Sequence, residues 1–188
     1  MSIDKKFIAK LGLILFAICA ICVFILALCN SLTVDTIAKI NLEKAENARI
    51  QVLSEADSFE KADYQGESEI YIGKKGDDKV GYCVSAAPKG FGGAIEMMVG
   101  IDNDLSITGV TIVNMSETPG LGSKASNEDF IGQYSGMSAK KGEVSVIKSG
   151  VPSDNEVVAI SGATVTSKAV TDGVNAAIEA VKEMEGLN

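Results

Sequence analysis

Histidine is missing from all 188 residues, and its absence removes several chemistries at once. Ser-His and Cys-His nucleophile pairs, imidazole zinc sites and imidazole proton shuttles are all excluded. Tryptophan is also absent, and aromatics make up only 5% of the chain. Any chemistry therefore falls to carboxylates, hydroxyls, backbone amides or a bound cofactor. Cysteine is sparse too: of four, only Cys83 lies beyond residue 30. That part of the chain can form no intramolecular disulfide, and it is long enough to stand on packing alone.

What is abundant is glycine, at 19 residues. With so few aromatics, that favours an α+β domain with many tight turns over a helical bundle. Charge is unevenly placed. Lys5, Lys6 and Lys10 face only Asp4 in the first ten residues, so the remainder is more acidic than the overall net charge of −8. Such a surface is repelled by phosphate backbones, which argues against nucleic-acid binding.

Leu11 to Cys29, "LGLILFAICAICVFILALC", carries no charge. At about 1.5 Å per residue it spans about 28 Å, close to the hydrocarbon thickness of a bilayer. Three lysines precede it and no lysine or arginine follows until Lys39. The positive-inside rule then predicts a cytoplasmic N-terminus and an exported remainder. A cleaved signal peptide has a shorter apolar region and an A-x-A-like site, which "ALCNS" does not resemble. Leu28 is bulky for a lipoprotein site at Cys29. Cys19, Cys22 and Cys29 lie within this stretch, where cysteine serves as a small apolar residue; contact with a partner's metal centre is the alternative.

Residues 33–63 contain neither Gly nor Pro, and Val34, Ile37, Ala38, Ala45, Ala48 and Val52 recur at helical spacing, which predicts one long helix. "SEIYIGKKGDDKVGYCVSAAPKG" reads as two short strands around a turn. Ile95–Ile101 and Leu105–Val113 read as a hairpin with a bulge at Gly109. A short helix capped by Asn127 follows, then strands in "EVSVIKSG" and "NEVVAISG". Ala169, Val170, Val174, Ala177, Ile178 and Val181 mark the buried stripe of a last helix. The expected fold class is α+β: one N-terminal transmembrane helix, then an exported antiparallel-sheet domain with packed helices.

Two loops stand out. "SGATVTS", residues 161–167, joins a strand to the last helix, predicted to begin near Ser167. Gly162 and Ala163 keep it slim, and unpaired helix amides with Ser and Thr hydroxyls suit a phosphate. The ordinary reading of such a cluster is a helix cap with no ligand. In "NMSETPGLGSKA", residues 114–125, Pro119 and Gly120 fix a turn that would display Glu117 and Thr118 rigidly, or serve as a plain surface turn.

Together, "ETPGLG" at 117–122 and "SGATVTS" behind a single N-terminal span resemble the FMN-binding components of two related membrane redox pumps. One is RnfG of the Rnf complex; the other is NqrC of the sodium-pumping NADH:quinone reductase. The short chain favours the RnfG type. The resemblance implies FMN held covalently as a phosphoester on Thr164, with Thr166 the neighbouring alternative, attached by a flavin transferase that uses FAD and a metal ion. It implies that Ser161, Gly162, Ala163, Val165 and Thr166 surround the linkage. Glu117, Thr118, Gly120 and Leu121 would lie near the flavin, with Gly122 completing the turn.

The implied organisation is a cytoplasmic N-terminus (1–10), a transmembrane helix (11–30), a juxtamembrane helix or linker (31–63) and an extracytoplasmic FMN-binding domain (64–188). The implied role is electron transport within an Rnf-type ion-translocating ferredoxin:NAD+ oxidoreductase in the cell membrane. Expected partners are an integral flavin subunit and iron–sulfur-holding membrane subunits. No acid–base dyad is required for such a role. The alternatives are NqrC of a Na+-translocating NADH:quinone reductase, or an anchored module that binds an anion or partner without redox chemistry.

Overall fold

The computed structural model describes residues 5–66 and 68–187, which divide into two compact units at Glu43/Lys44. The first unit is helical over its described residues, as part of α1 (Lys5–Val52). It exposes Leu13, Ile14, Leu15 and Phe16, which point to all sides of the helix, the pattern of a helix solvated by lipid. Among the described residues it belongs to the one helix long and apolar enough to cross a membrane.

The second unit is built on a five-stranded antiparallel meander in the order β1–β2–β3–β4–β5. Its strands are β1 (Ser58–Lys61), β2 (Ile70–Lys75), β3 (Asp78–Ala86), β4 (Ile95–Asp102) and β5 (Ile107–Met115). Period-two alternation gives the sheet two buried faces. Tyr82, Val84, Met97, Val99 and Ile101 join one core with α3 (Thr164–Glu185), through Val170, Val174, Ala177 and Val181. Cys83 and Met98 turn the other way and meet Ala48, Val52 and Leu53 from the end of α1. Arg49 lies over the Tyr71 ring, 4.3 Å from its centre. The expected hairpins and the buried stripe of the last helix are therefore as the sequence patterning indicated.

The end of α1 differs from expectation: the helix stops at Val52 instead of continuing to 63. The Val52 carbonyl accepts a hydrogen bond from Thr108 Oγ1 on β5 in place of a further helical partner. The chain then turns, and "SFEK" becomes the edge strand β1, paired with β2 from Ser58↔Lys74 to Lys61↔Tyr71. Glycines make room for this landing. A Cβ on Gly100 would stand 2.2 Å from Val52 O, and one on Gly73 would stand 2.4 Å from Leu53 Cδ2. The bulge predicted at Gly109 falls on its neighbour: Gly100 pairs with Gly109 and Ile101 with Ile107, leaving Thr108 as the extra residue.

Beyond β5, the chain runs through a 3-10 turn (Gly122–Ser126) into α2 (Glu128–Ile131). Asn127 occupies the cap position, but its side chain makes no capping bond; its backbone carbonyl does the holding. β6 (Ser145–Ile147) and β7 (Glu156–Val158) pair parallel with each other, apart from the main sheet. A Gln133 side chain bonds both backbone groups of Val158, and Asn175 does the same for Val144. Side-chain amides thus replace neighbouring strands beside this short pair.

Candidate functional site

Two loops converge at the N-terminus of α3. The first follows β5. Gly120 takes φ +79°, as the Thr-Pro-Gly turn requires. The Ser123 and Leu121 amides donate to the Thr118 carbonyl, and the Gly120 amide donates to Ser123 Oγ. The second loop is Ala159–Ala163, with Gly162 at φ +78° and a side chain 3.1 Å from where its Cβ would sit, Leu121 Cδ2.

Between them lies a cleft of about 390 Å³, lined by Phe91, Thr118, Leu121, Gly122, Gly162, Ala163, Thr164, Val165 and Thr166. That is a size at which small-molecule sites occur. Thr118, Leu121, Gly162, Ala163, Thr164, Val165 and Thr166, all expected near the site, line it together. Ser161, Gly120 and Glu117 do not. Phe91, 74% exposed, also lines the cleft and was not anticipated. The available signal was an aromatic set among glycines in "KGFGG".

α3 begins at Thr164, three residues earlier than expected. The stretch 164–166 is the helix's first turn instead of loop, since β-branched threonine is tolerated where no preceding turn crowds it. The first bond of the helical pattern runs from Ser167 N to Ala163 O. Ala163 holds the cap position with no side-chain capping bond, and the first turn contains no acid. The amides of Thr164, Val165 and Thr166 therefore stand ahead of the helical ladder, at the positive end of its dipole.

The hydroxyls divide sharply. Thr166 is 1% exposed and donates to Glu117 Oε2 at 2.9 Å. Ser167 Oγ accepts from Ile160 N and donates to Ala163 O, each at 3.0 Å. Neither is available to a ligand, although both were expected to be donors. Behind them, Thr171 donates to Ser167 O, and Tyr134 contacts Thr171 at 2.7 Å; burial pushes the Tyr134 phenol well above its usual range. Thr164 is half-buried, lines the cleft, and its hydroxyl holds no hydrogen bond among the described residues.

Glu117 also departs from expectation. It is not displayed on the turn but is 8% exposed, turned inward. Oε1 accepts from the Gly92 amide at 3.0 Å and Oε2 from Thr166. Glycines are needed around it: a Cβ on Gly90 would lie 2.2 Å from Oε1, and one on Gly122 would lie 2.5 Å from Oε2. A buried carboxylate thus ties the 90–93 loop, the 117–122 loop and the first turn of α3 together.

The chain matches known families over both units. Residues 1–53 match the RnfG N-terminal region, and residues 90–179, which include both loops, match the FMN-binding domain. The G component of the Na+-translocating ferredoxin:NAD+ oxidoreductase complex of Acetobacterium woodii is 40% identical over 200 residues, covering 98% of this chain and 96% of the relative. The G component of the ion-translocating oxidoreductase complex of Methanosarcina acetivorans is 32% identical over 192 residues, covering 97% and 99%. The chain belongs to the RnfG family.

Solved structures similar to this RnfG chain include the C component of the Na+-translocating NADH-quinone reductase of Parabacteroides distasonis. It superposes with a TM-score of 0.63 at 20% identity, over 82% of this chain and 98% of that one. NqrC of Shewanella oneidensis gives 0.52 at 23%, over 68% and 66%. These likenesses establish the shared fold. The RnfG N-terminal match ends at Leu53, where α1 lands on the sheet.

The residues at the cleft suit FMN. A free hydroxyl beside uncapped helix amides fits a phosphate. The exposed apolar side chains of Phe91, Leu121 and Val165 fit a flat aromatic ring system.

Proposed function

We propose that this chain is the electron-carrying subunit of an Rnf-type ion-translocating ferredoxin:NAD+ oxidoreductase, with FMN esterified through its phosphate to Thr164. The reading rests on full-length similarity to RnfG relatives, on the FMN-binding domain match, and above all on the free Thr164 hydroxyl. Thr166, the neighbouring alternative, is disfavoured because its hydroxyl is buried against Glu117. Bound FMN supplies reversible electron acceptance; the chain supplies attachment, placement and electrostatics.

The other proposed features follow from the same reading. The apolar part of α1 anchors the chain in the cell membrane, with Lys5, Lys6 and Lys10 on the cytoplasmic side and the FMN-binding domain outside. A flavin transferase attaches FMN from FAD: the Thr164 oxygen bonds to the FMN phosphorus, the pyrophosphate bond breaks, AMP leaves, and the hydroxyl proton passes to solvent. Partners are the integral flavin subunit and the membrane subunits that hold an iron–sulfur centre.

Production in a host that carries the transferase tests the assignment. A band that fluoresces after boiling in detergent, with an intact mass raised by one FMN less a water, is expected. Thr164→Ala removes both signals and Thr166→Ala keeps them. A dark wild-type band refutes the flavoprotein reading, and loss on Thr166→Ala alone moves the linkage.

A further inference from the structure

Glu117 is a charge where two neutral hydrogen-bond acceptors would suffice. It is buried, accepts from Gly92 N and Thr166 Oγ1, and has no ion-pair partner among the described residues. Placing an unpaired carboxylate out of water is costly. A glutamine would satisfy the same partners: its carbonyl accepts from the Gly92 amide, while its NH2 donates to Thr166 after the hydroxyl rotates. Holding the loops together therefore does not explain the charge.

Its position suggests what does. The carboxylate lies one layer behind the cleft, against two residues that line it. Thr166 lines the cleft and bonds Oε2, and the absent Gly122 side chain leaves room for that same oxygen. A third liner, Phe91, sits between Gly90 and Gly92, both of which abut Oε1 or donate to it. Little water separates the charge from the cleft, so its field is weakly screened there.

We propose that Glu117 acts electrostatically on the cleft's occupant, holding the reduction potential of a bound flavin below the value a neutral side chain would give. Reduction adds negative charge to the ring system, and a fixed anion beside it opposes that charge. This rests on the reading of the cleft as the FMN site. Glu117 is thus a positioning residue for two loops and the first turn of α3 and, in addition, a setter of potential.

The test uses the full-length chain, flavinylated in the host and purified in detergent, titrated spectroscopically with redox mediators. Glu117→Gln should remain flavinylated and show a higher potential than wild type. Thr166→Val keeps the charge but removes the donor that partly neutralises it, so its potential should fall. A role in loop packing alone would shift both variants in the same direction. A rise in Glu117→Gln together with a fall in Thr166→Val supports the proposal; equal potentials, two shifts of one sign, or the reverse pair overturn it. If Glu117→Gln does not fold, Thr166→Val decides alone, and an unchanged or raised potential overturns the proposal. A wild-type chain without flavin overturns the cofactor assignment as well, whereas a flavinylated wild type with indifferent variants overturns only the role of Glu117.

Discussion

Gly100 and Gly109 face each other in register across β4 and β5, under the end of α1. Replacing each with alanine is a controlled comparison. Neither glycine has the positive φ that would penalise alanine, so both substitutions gain the same unfolded-state term, about 0.4–1 kcal/mol. What differs is the space. At Gly100 the new Cβ would lie 2.2 Å from Val52 O and 2.4 Å from Thr108 Oγ1, the two atoms of the bond that terminates α1. At Gly109 the nearest atom, Val52 Cα, is 3.3 Å away and needs to yield only a few tenths of an ångström. Losing the bond costs about 0.5–1.5 kcal/mol and overpacking about 1–3 kcal/mol. After the unfolded-state gain is subtracted, Gly100→Ala should destabilise the 44–188 unit by about 0.5–4 kcal/mol, lowering its melting point by roughly 1–16 °C. Gly109→Ala should stay within about 1 kcal/mol of wild type. All four tyrosines lie in this unit and tryptophan is absent, so near-UV circular dichroism in the tyrosine band of the detergent-solubilised chain follows its melting. Two variants melting within about 1 °C of each other, an energy difference under about 0.5 kcal/mol, would show that α1 does not land where described.

Thr166→Val removes the side-chain donor to a buried carboxylate, and urea denaturation should show a loss of about 1.5–3 kcal/mol, with Thr166→Ser restoring most of it. Cys83 predicts alkaline sensitivity. Desolvation pushes its thiol from 9.0 up to about 12, so folding favours the neutral form. That stability is complete below pH 9 and is lost at up to about 1.4 kcal/mol per pH unit between 9 and 12. Cys83→Ala should flatten this part of the urea-midpoint profile, and an unchanged slope would refute the assignment.

Much of the fold was legible because hydrophobic periodicity is local. Val84, Met97, Val99 and Ile101 announce strands, and Val170, Val174, Ala177 and Val181 announce α3, before any long-range contact is known. What escaped depended on partners distant in sequence. Nothing in "RIQVLSEAD" signals that a helix stops at Val52, because the stop comes from Thr108 and from glycines on four strands. Four mostly exposed residues, "SFEK", carry no alternation to mark β1. At the candidate site, the sequence located the two loops but not the direction of their side chains. Glu117 turns inward because Gly90 and Gly122 leave it a cavity, and Thr166 turns with it. The motif put the linkage on Thr164 with Thr166 as the alternative by proximity; of the two, only Thr166 is buried.

The landing of α1 on the sheet also supplies a probe. Cys83, the lone thiol of residues 44–188, is sealed beneath that landing, its Sγ 3.7 Å from the Arg49 carbonyl. A maleimide can reach it only when the helix end lifts away. In a chain whose other three cysteines are replaced, its labelling rate becomes a stopwatch for that opening, readable while the assembled complex turns over.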